Sequence, residues 1–351
     1  MKRILAFVFA LVGCAAAMQA QVSNLQDDRE DSVLNVVAYF CKGDTMKYTY
    51  TNAVYKINQE DTITSSFYTR NCMIVVTDST SKGYKMEMTP LDITLANDSS
   101  AEEVRTQMNV AILQAFNGVK IKFRTNEFGE IKGIDNWREV RDLCVKGLAK
   151  AFDALYKKAP GMDEFMPRKR LEGLVEQGLN SEAEVRKCVE ELPLLFDCHG
   201  SQYPLGAATV VDSTTTLFPT TSRVLVTYED NAEGLGNDYA ISSCSVTAIP
   251  PKEAAELVGG VLTGLFSDEV ADEADNFIAD SLSTYFKDDS LKVERWEDYH
   301  FFANGWPSHM QMITSSGFSK QKKVECKSID WYYRSWRGYI MKDEEAEKKE
   351  L

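Results

Sequence analysis

Histidine is scarce in this chain: His199, His300 and His309 are the only three. No HExxH, GxSxG, P-loop or dinucleotide-type glycine pattern is present, so the reaction classes those motifs serve have no anchor in the sequence. No two cysteines stand in C-x-x-C spacing, which removes zinc-ribbon and thioredoxin-like readings. Positive charge is also in deficit, with 39 Lys and Arg against 53 Asp and Glu and a net charge of −14. Binding to phosphate backbones needs a basic footprint, so a nucleic-acid partner is excluded, and the same acidity opposes adsorption to anionic lipid headgroups. Beyond the N-terminus no apolar run is long enough to span a membrane.

What is present begins with MKRILAFVFALVGCAAAMQAQ. Lys2 and Arg3 form a positive start, Ile4 to Val12 an apolar stretch too short to cross a bilayer, and small residues follow, which together describe an export signal over residues 1–20. Two processing routes fit. Leu11-Val12-Gly13-Cys14 matches a lipobox that would place a lipid on Cys14, whereas Ala15 to Ala20 suits ordinary cleavage before Gln21. The apolar run continuing past Cys14, where a tether should be polar, favours ordinary cleavage and a periplasmic or extracellular protein. An outer-membrane lipoprotein is the alternative.

A 44% hydrophobic and 26% charged composition matches chains that bury a core. Cleavage would leave seven cysteines, an odd number that cannot all pair within one chain. Cys144 sits on the helical stripe Trp137, Val140, Cys144, Leu148, and Cys188 on the stripe Val185, Cys188, Leu192, Leu195. These read as buried thiols, with an interhelix disulfide as the alternative and Cys244 with Cys326 as a second candidate pair.

Strand signals dominate from Thr45 to Leu95. In GYKMEMT, Tyr84, Met86 and Met88 alternate with Lys85, Glu87 and Thr89, as a half-buried strand requires. Ser100 and Glu103 make a capping box for a helix carrying Val104, Met108, Ile112 and Ala115. A hairpin follows, with Val119, Ile121 and Phe123 on one side and Lys120, Lys122 and Arg124 on the other. Asn136 and Glu139 then open a helix to about Lys158, and Ser181 with Glu184 opens another in a helical middle. Strands return from Tyr203 to Ile249, a helical pair follows Pro250-Pro251, and the stretch from Leu291 to Trp336 is strand-like again.

The fold class is therefore α+β: curved antiparallel sheets, half-barrel-like, packed with helices in two loosely similar halves, which form either two sub-domains or one large sheet completed by both. The divisions are a lead-in at 21–44, a first β-meander with its helical layer at 45–198, a second β/helix/β half at 199–340 and a charged tail at 341–351. KIKFRTNEFGEIKGIDNWREV leads from strand through a Gly-containing turn into a helix, and with the preceding strands and helix it resembles uncharacterised exported proteins of Gram-negative bacteria. Their pattern is similar to the lipoprotein-carrier type of curved sheet covered by helices. The resemblance spans Thr45 to Ala159, rests on pattern and transfers no functional residue.

Three functions follow. The first is a non-enzymatic binding protein without a cofactor, holding a lipid or other hydrophobic ligand in an apolar cavity. Its lining would be Tyr48, Tyr50, Phe67, Met73, Tyr84, Met86, Met88, Met310 and Met312, since methionine adapts to varied contents. The second is a glycan- or protein-binding surface built from Trp331, Tyr333, Arg334 and Trp336. The third is a hydrolase or metal site around His300 and His309, with Glu297 and Asp298 nearby. Cys198-His199 reads as a helix exit, because neighbouring side chains diverge. Asp268, Asp272 and Asp275, and EDNAEGLGND, read as solvated acidic surface and match no EF-hand register.

Overall fold

The computed structural model describes residues 33–59, 61–95, 104–158, 161, 163, 167–212, 218–229, 237–250, 253–254 and 290–336. The export signal with Cys14, the Ser100–Glu103 cap, both acidic segments for the most part, the helical pair beyond Pro250 and the tail lie outside these residues. The elements are β1 (Val33–Asn35), β2 (Thr45–Asn58), β3 (Asp61–Thr80), β4 (Gly83–Leu95), α1 (Val104–Ala115), β5 (Ile121–Thr125) and β6 (Ile131–Ile134). Helices α2 (Trp137–Lys158), α3 (Arg168–Gly178), α4 (Glu182–Lys187) and α5 (Glu191–Phe196) follow. The chain continues through β7 (Gln202–Pro204), β8 (Gly206–Asp212), β9 (Thr220–Glu229), β10 (Asp238–Ile249), β11 (Leu291–Phe301), β12 (Pro307–Phe318) and β13 (Gln321–Ser335).

Eleven of these strands form one antiparallel sheet in the order β6-β5-β4-β3-β2-β13-β12-β11-β10-β9-β8, and β1 with β7 forms a separate pair. Among the described residues the large sheet is not closed into a barrel. Two separate halves are not seen. β13 pairs with β2 from Gln321↔Asn58 to Ser335↔Thr45, so the last strand is stitched to the first long one and the sheet runs through any boundary at residue 198.

Alternation decides the two faces. Met46, Tyr48 and Tyr50 of β2 lie opposite Ile74, Cys72 and Arg70 of β3, and β4 and β5 add Met88, Met86, Ile121 and Phe123. All of these are buried, forming an inner face packed with the helices, while Lys122 and Arg124 point outward. Helix α2 puts Val140, Cys144, Leu148 and Phe152 into this core, and Ser181 caps α4 by accepting from the Glu184 N–H. The stripe read through Cys188 breaks, because α4 stops at Lys187 and α5 begins only at Glu191.

The inner face is concave. The Phe196 ring lies 5.5 Å from Phe123 of β5 and 6.4 Å from Trp306 at the start of β12. Those two rings are thus at most about 12 Å apart, whereas five strand spacings in a flat sheet would be about 24 Å. Phe40 continues the plug, 5.2 Å from Tyr84 and 4.1 Å from Trp306. The turn that carries Trp306 inward needs Gly305, whose φ is +82° and where a Cβ would sit 2.3 Å from the Val37 carbonyl oxygen. His199 fills the same plug. Its Nε2 donates to the Gly305 carbonyl at 2.9 Å, which makes Nδ1 the bare nitrogen, and that atom has no hydrogen-bond partner among the described residues.

One ion pair is enclosed with these rings. Arg70 Nε donates to Glu191 Oε1 at 2.7 Å, and both side chains are fully buried. The same guanidinium reaches the Leu113 carbonyl at the end of α1 at 3.5 Å, so β3, α1 and α5 meet at one residue. Removing one member strands the other in low dielectric. Glu191→Gln is expected to cost roughly 3–5 kcal/mol in urea unfolding, and Arg70→Met with Glu191→Leu to recover most of it. Burial holds the His199 pKa down at about 4. The unfolded chain therefore takes up a proton near pH 6.5 that the folded chain refuses, and stability falls as pH drops from 6.5 towards 4. The expected loss is about 3 kcal/mol, measured by urea unfolding across that window and absent in His199→Asn.

Candidate functional site on the outer sheet face

The outer face of β10 carries Ala240, Ser242, Cys244, Val246 and Ala248, side chains too small to fill the space between neighbouring strands. Larger residues rise on both sides. Register places Leu225 and Arg223 of β9 beside Ser242 and Cys244, and Asp298 and Trp296 of β11 opposite the same two residues. Ala207 and Thr209 of β8 extend the trough on one side and Gln311 of β12 bounds it on the other. The result is an open groove of about 520 Å³ lined by these residues. Leu225 and Trp296 stand 45% and 39% exposed at its walls and turn apolar surface toward it.

The groove's carboxylate is fixed. Ser242 Oγ donates to Asp298 Oδ1 at 2.7 Å and His300 Nε2 stands 3.2 Å from Oδ2. Partial burial works to raise the Asp298 pKa, but the bonds from Ser242 and His300 and the nearby imidazoles outweigh it and keep the carboxyl below its ordinary range. An aromatic wall, a held carboxylate, an amide and a guanidinium thus face one trough.

His300 and His309 are brought together. They are direct partners across β11 and β12, with ring centroids 5.7 Å apart, and His309 Nδ1 lies 2.6 Å from Asp330 Oδ1. Each imidazole is oriented by a carboxylate, at the end of the groove. Ser242, the hydroxyl of this row, donates to Asp298 and not to an imidazole. Glu297 points to the inner face, where it accepts from Ser243 and Tyr299. Among the described residues no group of three or more His, Cys, Asp or Glu side chains is placed to hold a metal ion. Cys198 and His199 diverge as expected: His199 bonds Gly305, and burial pushes the Cys198 thiol up to about 12, out of the nucleophilic range.

The nine residues read as a cavity lining divide between faces. Tyr48, Tyr50, Tyr84, Met86, Met88 and Met310 are buried in the inner-face core. The Tyr48 and Tyr84 hydroxyls donate to the Pro307 and Ala38 carbonyls, and Tyr50 donates to Glu190, so the chain itself occupies the space around them. Met312 is half-buried on that face between Glu297 and Lys327. Phe67 and Met73 belong to the outer face, opposite Ala53 and Lys47, because their odd positions in β3 alternate with buried Tyr68, Cys72 and Ile74.

The C-terminal aromatic set divides as well. A bulge between Trp331 and Tyr333 shifts the register, putting Trp331 and Arg334 on one side and Tyr333 beside Lys47 on the other. Arg334 lies within 4.5–5.0 Å of the Phe302, Trp331 and Trp336 rings, a cage filled by the chain's own guanidinium. Cys244 and Cys326 share a face but are three strand spacings apart, about 14 Å, which excludes a disulfide between them. All seven described cysteines are free thiols.

Sequence reading missed the groove. Its signal was the period-two run of small residues in AISSCSVTA between strands bearing Leu225 and Trp296. Ser242→Ala is expected to raise the Asp298 pKa toward the ordinary carboxylate value, read by NMR titration of the side-chain carboxyl carbon.

No family model matches the chain, and no curated protein matches it. Among solved structures, an outer membrane channel from Pseudomonas putida F1 aligns over 88% of this chain and 100% of that chain, at 6% identity and a TM-score of 0.13. That likeness is too low to carry an argument about fold or function.

Proposed function

We propose that the chain is an exported, non-enzymatic binding protein that holds a saccharide chain in the groove on the outer sheet face. The observation that carries this reading is the exposed Trp296 wall beside the oriented Asp298 carboxylate. Sugar rings present apolar C–H faces that stack on an indole, and hydroxyls that pair with carboxylate, amide, hydroxyl and guanidinium groups. Asp298, Gln311, Ser242 and Arg223 supply those groups along one trough. Its volume lies within the range of small-ligand sites, and its openness suits an extended chain that enters and leaves at both ends.

Export rests on the Lys2–Arg3 start and the Ile4–Val12 apolar run. The hydrophobic-cargo reading has less support, since six of its nine lining residues are packed by the protein itself. A half-barrel-like carrier architecture would also need an inner hollow where Phe40, Phe196, His199 and Trp306 now stand.

Titration calorimetry with hexasaccharides of glucose, xylose and N-acetylglucosamine tests the proposal. At least one is expected to bind, and Trp296→Ala to weaken it roughly tenfold or more, as loss of a stacking platform implies. Trp331→Ala is expected to leave binding unchanged. Failure of all three sugars to bind, or equal affinity for Trp296→Ala, would overturn the assignment.

A further inference from the structure

Two cysteines meet where α2 crosses α4. Cys144 is fully buried on the inward stripe of α2, between Val140 and Leu148. Cys188 closes α4 as its C-cap residue, half-buried against the same core. Its position is fixed from both directions: the Cys188 N–H bonds the Val185 carbonyl at 3.0 Å, and its thiol lies 4.0 Å from the Glu184 carbonyl oxygen. Arg141 Nε, one turn before Cys144, donates to the Leu179 carbonyl at 2.9 Å at the entry to α4. The Ile134 N–H reaches Glu182 of α4 at 3.0 Å. With both helices held, the two thiols face each other across the contact between α2 and α4, each shifting the other's ionisation.

We infer that Cys144 and Cys188 are a built-in dithiol that closes to a disulfide when the folded protein meets a small-molecule disulfide. The steps balance without any other reagent. Cys188 Sγ, as thiolate, attacks one sulfur of the incoming disulfide; that S–S bond breaks and the departing thiolate takes up a proton. Cys144 then loses its proton to water, attacks Cys188 Sγ and expels the second thiolate. Two protein thiols are oxidised and one small disulfide is reduced to two thiols.

The order follows from the surroundings. Cys188 is the more accessible of the two, and its neighbour Cys144 favours its thiolate, while the Cys188 thiol and burial disfavour ionisation of Cys144. Cys72 and Cys198 are enclosed with their thiols pushed up by burial, and Cys244 and Cys326 stand three strands apart. The closed bond would bridge a long chain segment and hold α4, which runs directly into Glu190 and Glu191, the partners of Tyr50 and Arg70. The inference is independent of the saccharide reading.

The test exposes the purified full-length chain to oxidised glutathione, blocks remaining thiols in urea and maps peptides without reduction. The expected product is a Cys144–Cys188 cross-linked peptide, lighter by two hydrogens than its reduced parts, with Cys72, Cys198, Cys244 and Cys326 recovered as blocked thiols. The unfolding temperature should rise by on the order of 5 °C or more over the reduced chain. That rise should vanish in Cys188→Ser, which changes the half-exposed partner and leaves the core at Cys144 intact. A glutathione adduct persisting on Cys188, or both residues recovered as blocked thiols, would overturn the inference, as would a temperature rise retained in Cys188→Ser.

Discussion

A broad sheet that bends without closing must have its concave side filled, and here the filling comes from the chain itself. Phe40, the neighbours Phe196 and His199, and Trp306 arrive from three distant places in the sequence and meet inside the bend. Hydrophobic burial supplies the drive, but the shape is set by polar contacts that tolerate no displacement. His199 needs the Gly305 carbonyl, Trp306 Nε1 reaches Asp44 at 3.4 Å, and Arg70 needs Glu191. A buried ion pair is a costly way to gain stability, and here it ties α5 to β3 through one pair of side chains.

Filling the inner side moves the available chemistry to the outer one. Beyond the rows of Tyr50, Ile329 and Met310, the inner face turns polar, with Lys327 between Glu190 and Glu325 and Arg295 beside Glu297. Such a surface offers little to an apolar guest. On the outer face, by contrast, β10 contributes only small side chains at its outward positions, and the neighbouring strands stand above it. The groove, the oriented Asp298 and the His300–His309 pair are consequences of one sequence choice in β10 combined with strand register.

Local pattern was readable where local physics decides it. Met86 and Met88, Ile121 and Phe123, and the Trp137–Lys158 helix lie where alternation and helical spacing put them, since each depends only on near neighbours and on which side is wet. The Ser181 cap is of the same kind. The joining of β13 to β2 was not readable, because pairing between residues nearly three hundred apart leaves no trace in either segment alone. Bulges hid more: the one at Trp331 sends Tyr333 to the face opposite Trp331 and Arg334. Residue type also misled, for Phe67 and Met73 look like lining but sit on the wrong parity of β3. The groove escaped notice because a cavity floor is made by what side chains lack, and small residues in a strand read as weak strand signal.

The concave side belongs to the protein's own side chains. Native mass spectrometry of the full chain, purified without detergent or organic solvent and sprayed from ammonium acetate, tests it most directly. The expected mass is that of the polypeptide alone, with no apolar molecule released on denaturation. A lipid-sized mass retained in the folded protein and freed on unfolding would contradict it.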